Sequence, residues 1–351
     1  MRPKPSRLTL FRGSWHYCGT RFALLLILGV ILGACTRRNA EVCCLTDADC
    51  ATLQITPTAC ADGFVCRDLV CVEATCDAAS QCTVDKPVCD VPAGLCESCV
   101  TSSDCAPYPN APYCDPATGG CRACKLDSEC ASDVCDADAG TCVNSTEVVY
   151  VAANGTDTAA CTHGQPCSMT RALVVATADP SSTTIRMLPG VYTNPLTISS
   201  STIMLVGADS VFRGSGSTIL AITGSADVTI RGLAFDLSQG NVRCDGSATD
   251  TPSLTLRDLT VSSNTNKIAA FKCSLQIRDA VFKSNSQAVS FGDDTRVDID
   301  GALFTGNGAG SSGMIGSGSR ITLRMSNSVF DPGSFGFSAN GTANDGSKMT
   351  V

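Results

Sequence analysis

Two side-chain constellations in this sequence have the make-up of chemical sites. Asp293 and Asp294, in Gly-Asp-Asp-Thr-Arg296, are adjacent carboxylates of the type that act as acid and base in glycoside cleavage. Arg231, Arg257 and Arg278 recur at one position of a repeated short apolar motif, and guanidinium forks suit carboxylate or sulfate groups. The 24 Cys offer a third chemistry, thiolate ligation or disulfide formation. His16 and His163 are the only histidines, which excludes a multi-His metal centre. His163 lies in a Gly-rich loop and reads as a solvated turn residue. Asp136-x-Asp138-x-Gly140 has part of the pattern of a calcium loop without its remaining ligands, so a plain turn is the better reading. No cofactor is called for.

The elements that must hold these residues follow from composition. The chain has 351 residues and 44% apolar content, enough for two domains with a real core. Lys and Arg total 25 against 33 Asp and Glu, and this acidic balance argues against nucleic acid as a partner. Residues 1–34 hold Arg2, Lys4, Arg7, Arg12 and Arg21 and no acid, followed by an apolar run from Phe22 to Ala34. That run is too short to span a bilayer, and its basic flank fits a secretory signal. It ends Leu32-Gly33-Ala34-Cys35, which resembles the bacterial lipobox. The resemblance implies lipidation of Cys35, a membrane partner through the lipid anchor and, with Thr36 rather than Asp after the Cys, the outer membrane.

Residues 35–147 form a disulfide-rich region that is acidic and poor in apolar residues, so it needs cross-links to fold. Three units repeat: Cys76, Cys82, Cys89, Cys96; then Cys99, Cys105, Cys114, Cys121; then Cys124, Cys130, Cys135, Cys142. Each ends Cys-Asp-x-x-x-Gly-x-Cys, with Gly where a tight turn needs positive φ. A looser first unit uses Cys43, Cys44, Cys50, Cys60, Cys66 and Cys71. The spacings resemble Dickkopf-type cysteine-rich repeats. Cys96-x2-Cys99 and Cys121-x2-Cys124 also approach a zinc-ribbon spacing, but export to an oxidising compartment and the repeat period favour disulfides, with connectivity left open.

From residue 148 to 351 an apolar signature i, i+2, i+5, i+7 recurs: Val228, Ile230, Leu233, Phe235; then from Leu254, Leu275 and Val297; and more weakly from Leu323. Starts at Ile185 and Ile203 fit less well. Repeats of this size mark a solenoid. A step of three would flip the facing of a strand, so a bend between i+2 and i+5 must restore it. Val228, Leu254, Leu275 and Val297 should therefore pile into one interior column. Asn264, Asn285 and Asn307 share offset i+10 and could form a ladder along one edge. Cys244 is placed to pair with Cys273, and Cys161 with Cys167. Ser168 should N-cap a short helix over Met169–Ala178. Met349-Thr-Val351 reads as the start of another coil, so the segment has the look of a fragment or truncated frame.

The opening Val149-Tyr-Val, Gly155, the helix and Ile185-x-Met-x-Pro-Gly-x-Tyr192 together resemble the N-terminal cap and first coil of the pectin-lyase-like family. That implies a mainly β fold, a right-handed parallel β-helix of about seven coils. Such folds often bind or cleave polysaccharide along an outer groove. Asp293-Asp294 resembles one element of the polygalacturonase site, but no His-Gly dipeptide and no Arg-x-Lys follow. Arg231, Arg257 and Arg278 are candidate glycan-binding residues at i+3, with Asp258 and Asp279 next in sequence as the compensating charges of a purely structural alternative. The expected role is a noncatalytic structural, adhesive or carbohydrate-binding lipoprotein. The alternative is a polysaccharide lyase or glycoside hydrolase acting on acidic glycans.

Overall fold

The computed structural model describes residues 64–67, 70–73, 76–91, 94–179, 183–213, 216–238, 240–262, 267–283, 287–306, 312–331, 335–340 and 348–350. The expected signal segment 1–34, Cys35, Cys43, Cys44, Cys50, Cys60 and the expected ladder of Asn264, Asn285 and Asn307 lie outside them. The chain divides into two compact units, residues 1–83 with 88–97, and residues 84–87 with 98–351.

In the first unit Phe64–Arg67 pairs antiparallel with Val70–Glu73, placing Cys66 opposite Cys71. The first of the three cysteine repeats follows, with Val88–Asp90 paired to Leu95–Glu97. The second unit holds the other two repeats and all the strands that follow.

All three repeats are built alike. The first Cys bonds the third and the second bonds the fourth: Cys76–Cys89 with Cys82–Cys96, Cys99–Cys114 with Cys105–Cys121, and Cys124–Cys135 with Cys130–Cys142. The turn glycines Gly94, Gly119 and Gly140 take φ of 59°, 71° and 71°, as the motif demanded. Each glycine carbonyl then accepts the N–H of its repeat's first Cys, from Cys76, Cys99 and Cys124 respectively. The residue before the second Cys, namely Gln81, Asp104 or Glu129, turns its side-chain oxygen back onto backbone N–H groups of the preceding turn.

Beyond these repeats the second unit is a parallel β-solenoid. Three parallel sheets carry nine, seven and seven strands; each full coil contributes one strand to each, and Val148–Thr156 and Lys348–Thr350 add to the first sheet alone. One coil is Ser274–Arg278, Val281–Lys283 and Val289–Phe291. On the nine-stranded first face, Val228, Leu254, Leu275 and Val297 are register partners in one column, which Ile203 and Leu323 extend. All are buried. On the second face Phe212, Phe235, Val261, Phe282, Phe304 and Phe330 stack likewise. The Phe282 and Phe304 rings lie 4.8 Å apart and 6° from parallel, and Phe304 and Phe330 lie 4.6 Å apart. The third face adds the interior columns Leu220, Val242, Ile268, Val289 and Ile222, Cys244, Ala270, Phe291. Cys244 bonds Cys273, and Cys161 bonds Cys167.

The bend between the first two faces has a definite cause. Asp209, Gly232, Asp258, Asp279, Gly301 and Asn327 all adopt φ between 47° and 74°. Each precedes its coil's second-face core residue by three positions. One left-handed residue reverses the facing, and Gly, Asn and Asp tolerate that conformation best. The Ile203 coil departs from the signature because two residues are inserted before its corner, so Phe212 sits at i+9.

The helix Met169–Ala178 closes one end, with the Ser168 hydroxyl accepting from Arg171 N–H at 3.1 Å. Met169, Ala172 and Ala176 join Val149, Val151 and Ile185 in the same core. At the other end Lys348–Thr350 pairs parallel with Thr322–Ser326 as a further rung.

Candidate functional site

The outward positions of the first face form a column of register partners: Arg186, Val206, Arg231, Arg257, Arg278, Asp300 and Ser326. All three sequence-predicted arginines are therefore adjacent rungs of one ladder, as their shared offset required. Arg186 belongs to it as well. It escaped notice because the first coil fits the repeat poorly.

The last cysteine repeat lies on this column. Val134, Val148, Tyr150 and Val206 form a small apolar cluster, and the Tyr150 hydroxyl donates to the Ser132 carbonyl at 3.0 Å. Burial pushes the Tyr150 phenol up. Arg231 donates to the Cys135 carbonyl at 2.6 Å and to Asp127 at 2.7 Å. Arg186 stands 3.8 Å from the other oxygen of Asp127. Arg186 and Arg231 are buried, and Nε of each finds no hydrogen-bond acceptor. A buried guanidinium pair sharing one carboxylate ties the repeat to the solenoid, and removing any one partner would leave buried charge uncompensated.

Arg257 forms a two-pronged bond with Asp138, at 2.6 and 3.0 Å. This bond holds the Asp138 carboxyl below the usual range, helped by the charges of Arg278 and Arg231. The Arg278 side chain is exposed, and its guanidinium makes no hydrogen bond or ion pair among the described residues. Asp258 and Asp279 are corner residues whose backbone N–H groups donate to the Arg278 and Asp300 carbonyls; their carboxylates bond none of the arginines among the described residues and lend Arg257 only longer-range charge. Burial raises the Asp258 carboxyl, and Asp279 beside it adds to the rise.

Asp293 and Asp294 are brought together by a second corner, where Asp294 has φ of 55°. Asp293 accepts from the backbone N–H of Ser319 at 2.6 Å and from its hydroxyl at 3.0 Å. Asp294 pairs with Arg320 of the same neighbouring rung. Both carboxyls lie below the usual range, Asp293 through the Ser319 amide and Asp294 through the Arg320 guanidinium. They brace coil on coil, and neither has the raised pKa of a proton donor.

His163 is largely exposed. It stands 3.4 Å from Asp133 and edge-on to the Tyr150 ring, at the margin of the docked repeat. In the Asp136 turn the carboxylate accepts from the N–H groups of Asp138 and Ala139, which is turn chemistry. Three sulfurs in each repeat lie within 4.8 Å of one another, as in Cys99, Cys105 and Cys121. Each is in a disulfide, which removes the thiolate that zinc needs. Comparison with protein-family models, curated proteins and solved structures finds no match to this chain.

Proposed function

We propose that this chain is an exported bacterial lipoprotein, anchored to the outer membrane through Cys35, whose β-solenoid serves a noncatalytic, carbohydrate-binding and structural role. The basic leader, the short apolar run and the lipobox-like Leu32-Gly33-Ala34-Cys35 support the anchor. The cysteine spacings support kinship with Dickkopf-type repeats, and the cap and first coil support kinship with pectin-lyase-like β-helices.

One observation carries the binding role. The outward arginine column keeps a guanidinium, Arg278, beside the exposed bond of Arg257 to Asp138, while Asp293 and Asp294 are engaged in bracing the coils. A row of donors beside a carboxylate pair that is already engaged between coils fits recognition better than bond cleavage. The test is to incubate the full chain with a panel of neutral, uronic acid and sulfated polysaccharides. Retention on at least one of them is expected, without release of reducing sugar or of unsaturated product. Product release, or retention on none, overturns the reading.

A further inference from the structure

We propose that the Arg257–Arg278 step of the column binds successive anionic groups of an acidic polysaccharide, and that Asp138 is an intramolecular stand-in for that ligand. The inference rests on the carbohydrate-binding reading above and adds the ligand class and its competitor.

The column is engaged in a graded way. Arg231 is bonded to the Cys135 carbonyl and Asp127, and its side chain is only 11% exposed. Arg257 is held by Asp138 alone, and the Asp138 side chain is 75% exposed. Arg278, one rung further, is open. Beyond it Asp300 is occupied on one oxygen by Ser326 and Asn327, each at 2.8 Å.

Asp138 is dispensable to its own turn. The Asp136 carboxylate and Gly140 build that turn, and the first two repeats carry Pro92 and Ala117 at the matching position. Docking of the repeat is secured elsewhere, by Asp127, Val134 and the Tyr150–Ser132 bond. What Asp138 adds is a planar carboxylate in the fork of Arg257, which displays the ligand chemistry that the site accepts. An exposed pair of this kind is worth about 0–1 kcal/mol, so a ligand exchanges with it readily. Adjacent rungs are about 4.8 Å apart, so two guanidinia side by side match a polymer with repeated anionic groups better than one small anion.

The experiment measures binding of the full chain to immobilised uronic acid polymer, sulfated dextran, unmodified dextran and poly-glutamate. Asp138→Asn should tighten binding to the two acidic polysaccharides by roughly twofold to fivefold, as expected for removal of an exposed competing pair. Arg278→Ala should weaken it by about tenfold. Arg320→Ala removes the same charge at the other corner and should change it little. Thermal unfolding of each variant confirms folding, and failure of one to fold leaves the others to decide. If the unaltered chain binds no polysaccharide, the function proposed above falls and this inference with it. If it binds but neither Asp138→Asn nor Arg278→Ala alters affinity, only this inference falls. Equal binding to unmodified dextran overturns the requirement for anions. Binding to poly-glutamate as tight as to the acidic polysaccharides, with the same dependence on Arg278, overturns the polysaccharide assignment.

Discussion

Individual carboxylates in this protein are placed to hold backbone and guanidinium groups. Glu129 shows this most fully. It receives both prongs of Arg122, at 2.8 and 3.0 Å, together with the N–H groups of Lys125 and Leu126. Arg122 also lies over the Tyr113 ring of its own repeat, so this one pair ties the second disulfide repeat to the third. The Arg122 bond is the main reason that the Glu129 carboxyl is pushed down to about 2. A depressed folded-state pKa contributes stability above the ordinary carboxylate value, and that contribution is lost as pH falls toward 2. Glu129→Gln should therefore destabilise the last repeat by about 1 kcal/mol at pH 6, the scale of a well-made but partly exposed pair. The difference should shrink steadily between pH 4.5 and pH 2, with chemical denaturation monitored at each pH. A difference that stays constant with pH would show that the charge is not what holds Glu129 in place.

At the scale of the element, the coil corner decides the fold. Its left-handed residue turns two short strands so that both face the same core, and the apolar signature depends on it. Gly232 has φ of 74°, and a Cβ there would come within 2.3 Å of the Gly207 carbonyl oxygen. Gly232→Ala should cost roughly 2–4 kcal/mol, combining left-handed strain with a backbone clash. At Asp258, φ is 52°. A β-branched residue suits that conformation badly, so Asp258→Val should cost about 1–3 kcal/mol while Asp258→Gly stays within about 1 kcal/mol. Urea midpoints at constant m-value measure all three. Equal losses for Val and Gly at residue 258 would mean that the carboxylate, and not the corner, carries the position. The i+4 restriction to Gly, Asp and Asn was visible in the sequence. It reads as a salt-bridge pattern until the backbone angles are known, since Asp258 and Asp279 follow arginines.

For the whole molecule, stability comes from two sources that do not resemble each other: stacked apolar columns in the solenoid and cross-links in the repeats. Each repeat closes loops of 11 to 16 residues, and such closures contribute about 3 kcal/mol apiece. Peptide mapping of the full chain without reduction should recover first-to-third and second-to-fourth pairs in all three repeats. Free thiols there, or a stoichiometric zinc ion, would overturn that architecture. Much of this was legible beforehand. Cysteine spacing defined the repeats, and the step from i+2 to i+5 implied a bend, because local periodicity reports which side of a strand faces the core. The third face was not legible, because the loops before and after it vary in length and carry no fixed offset from the first two. The partners of the arginines were not legible either. Asp127 and Asp138 lie 104 and 119 residues from the guanidinia they meet, and an outward side chain carries no periodic mark of what will cover it. The sequence by itself determined the coil, the repeat units and the alignment of Arg231, Arg257 and Arg278, since neighbour-to-neighbour rules set all three. Only the tertiary structure decided which of those charges is buried under a disulfide repeat and which is left open, because that depends on a contact between segments far apart in the chain.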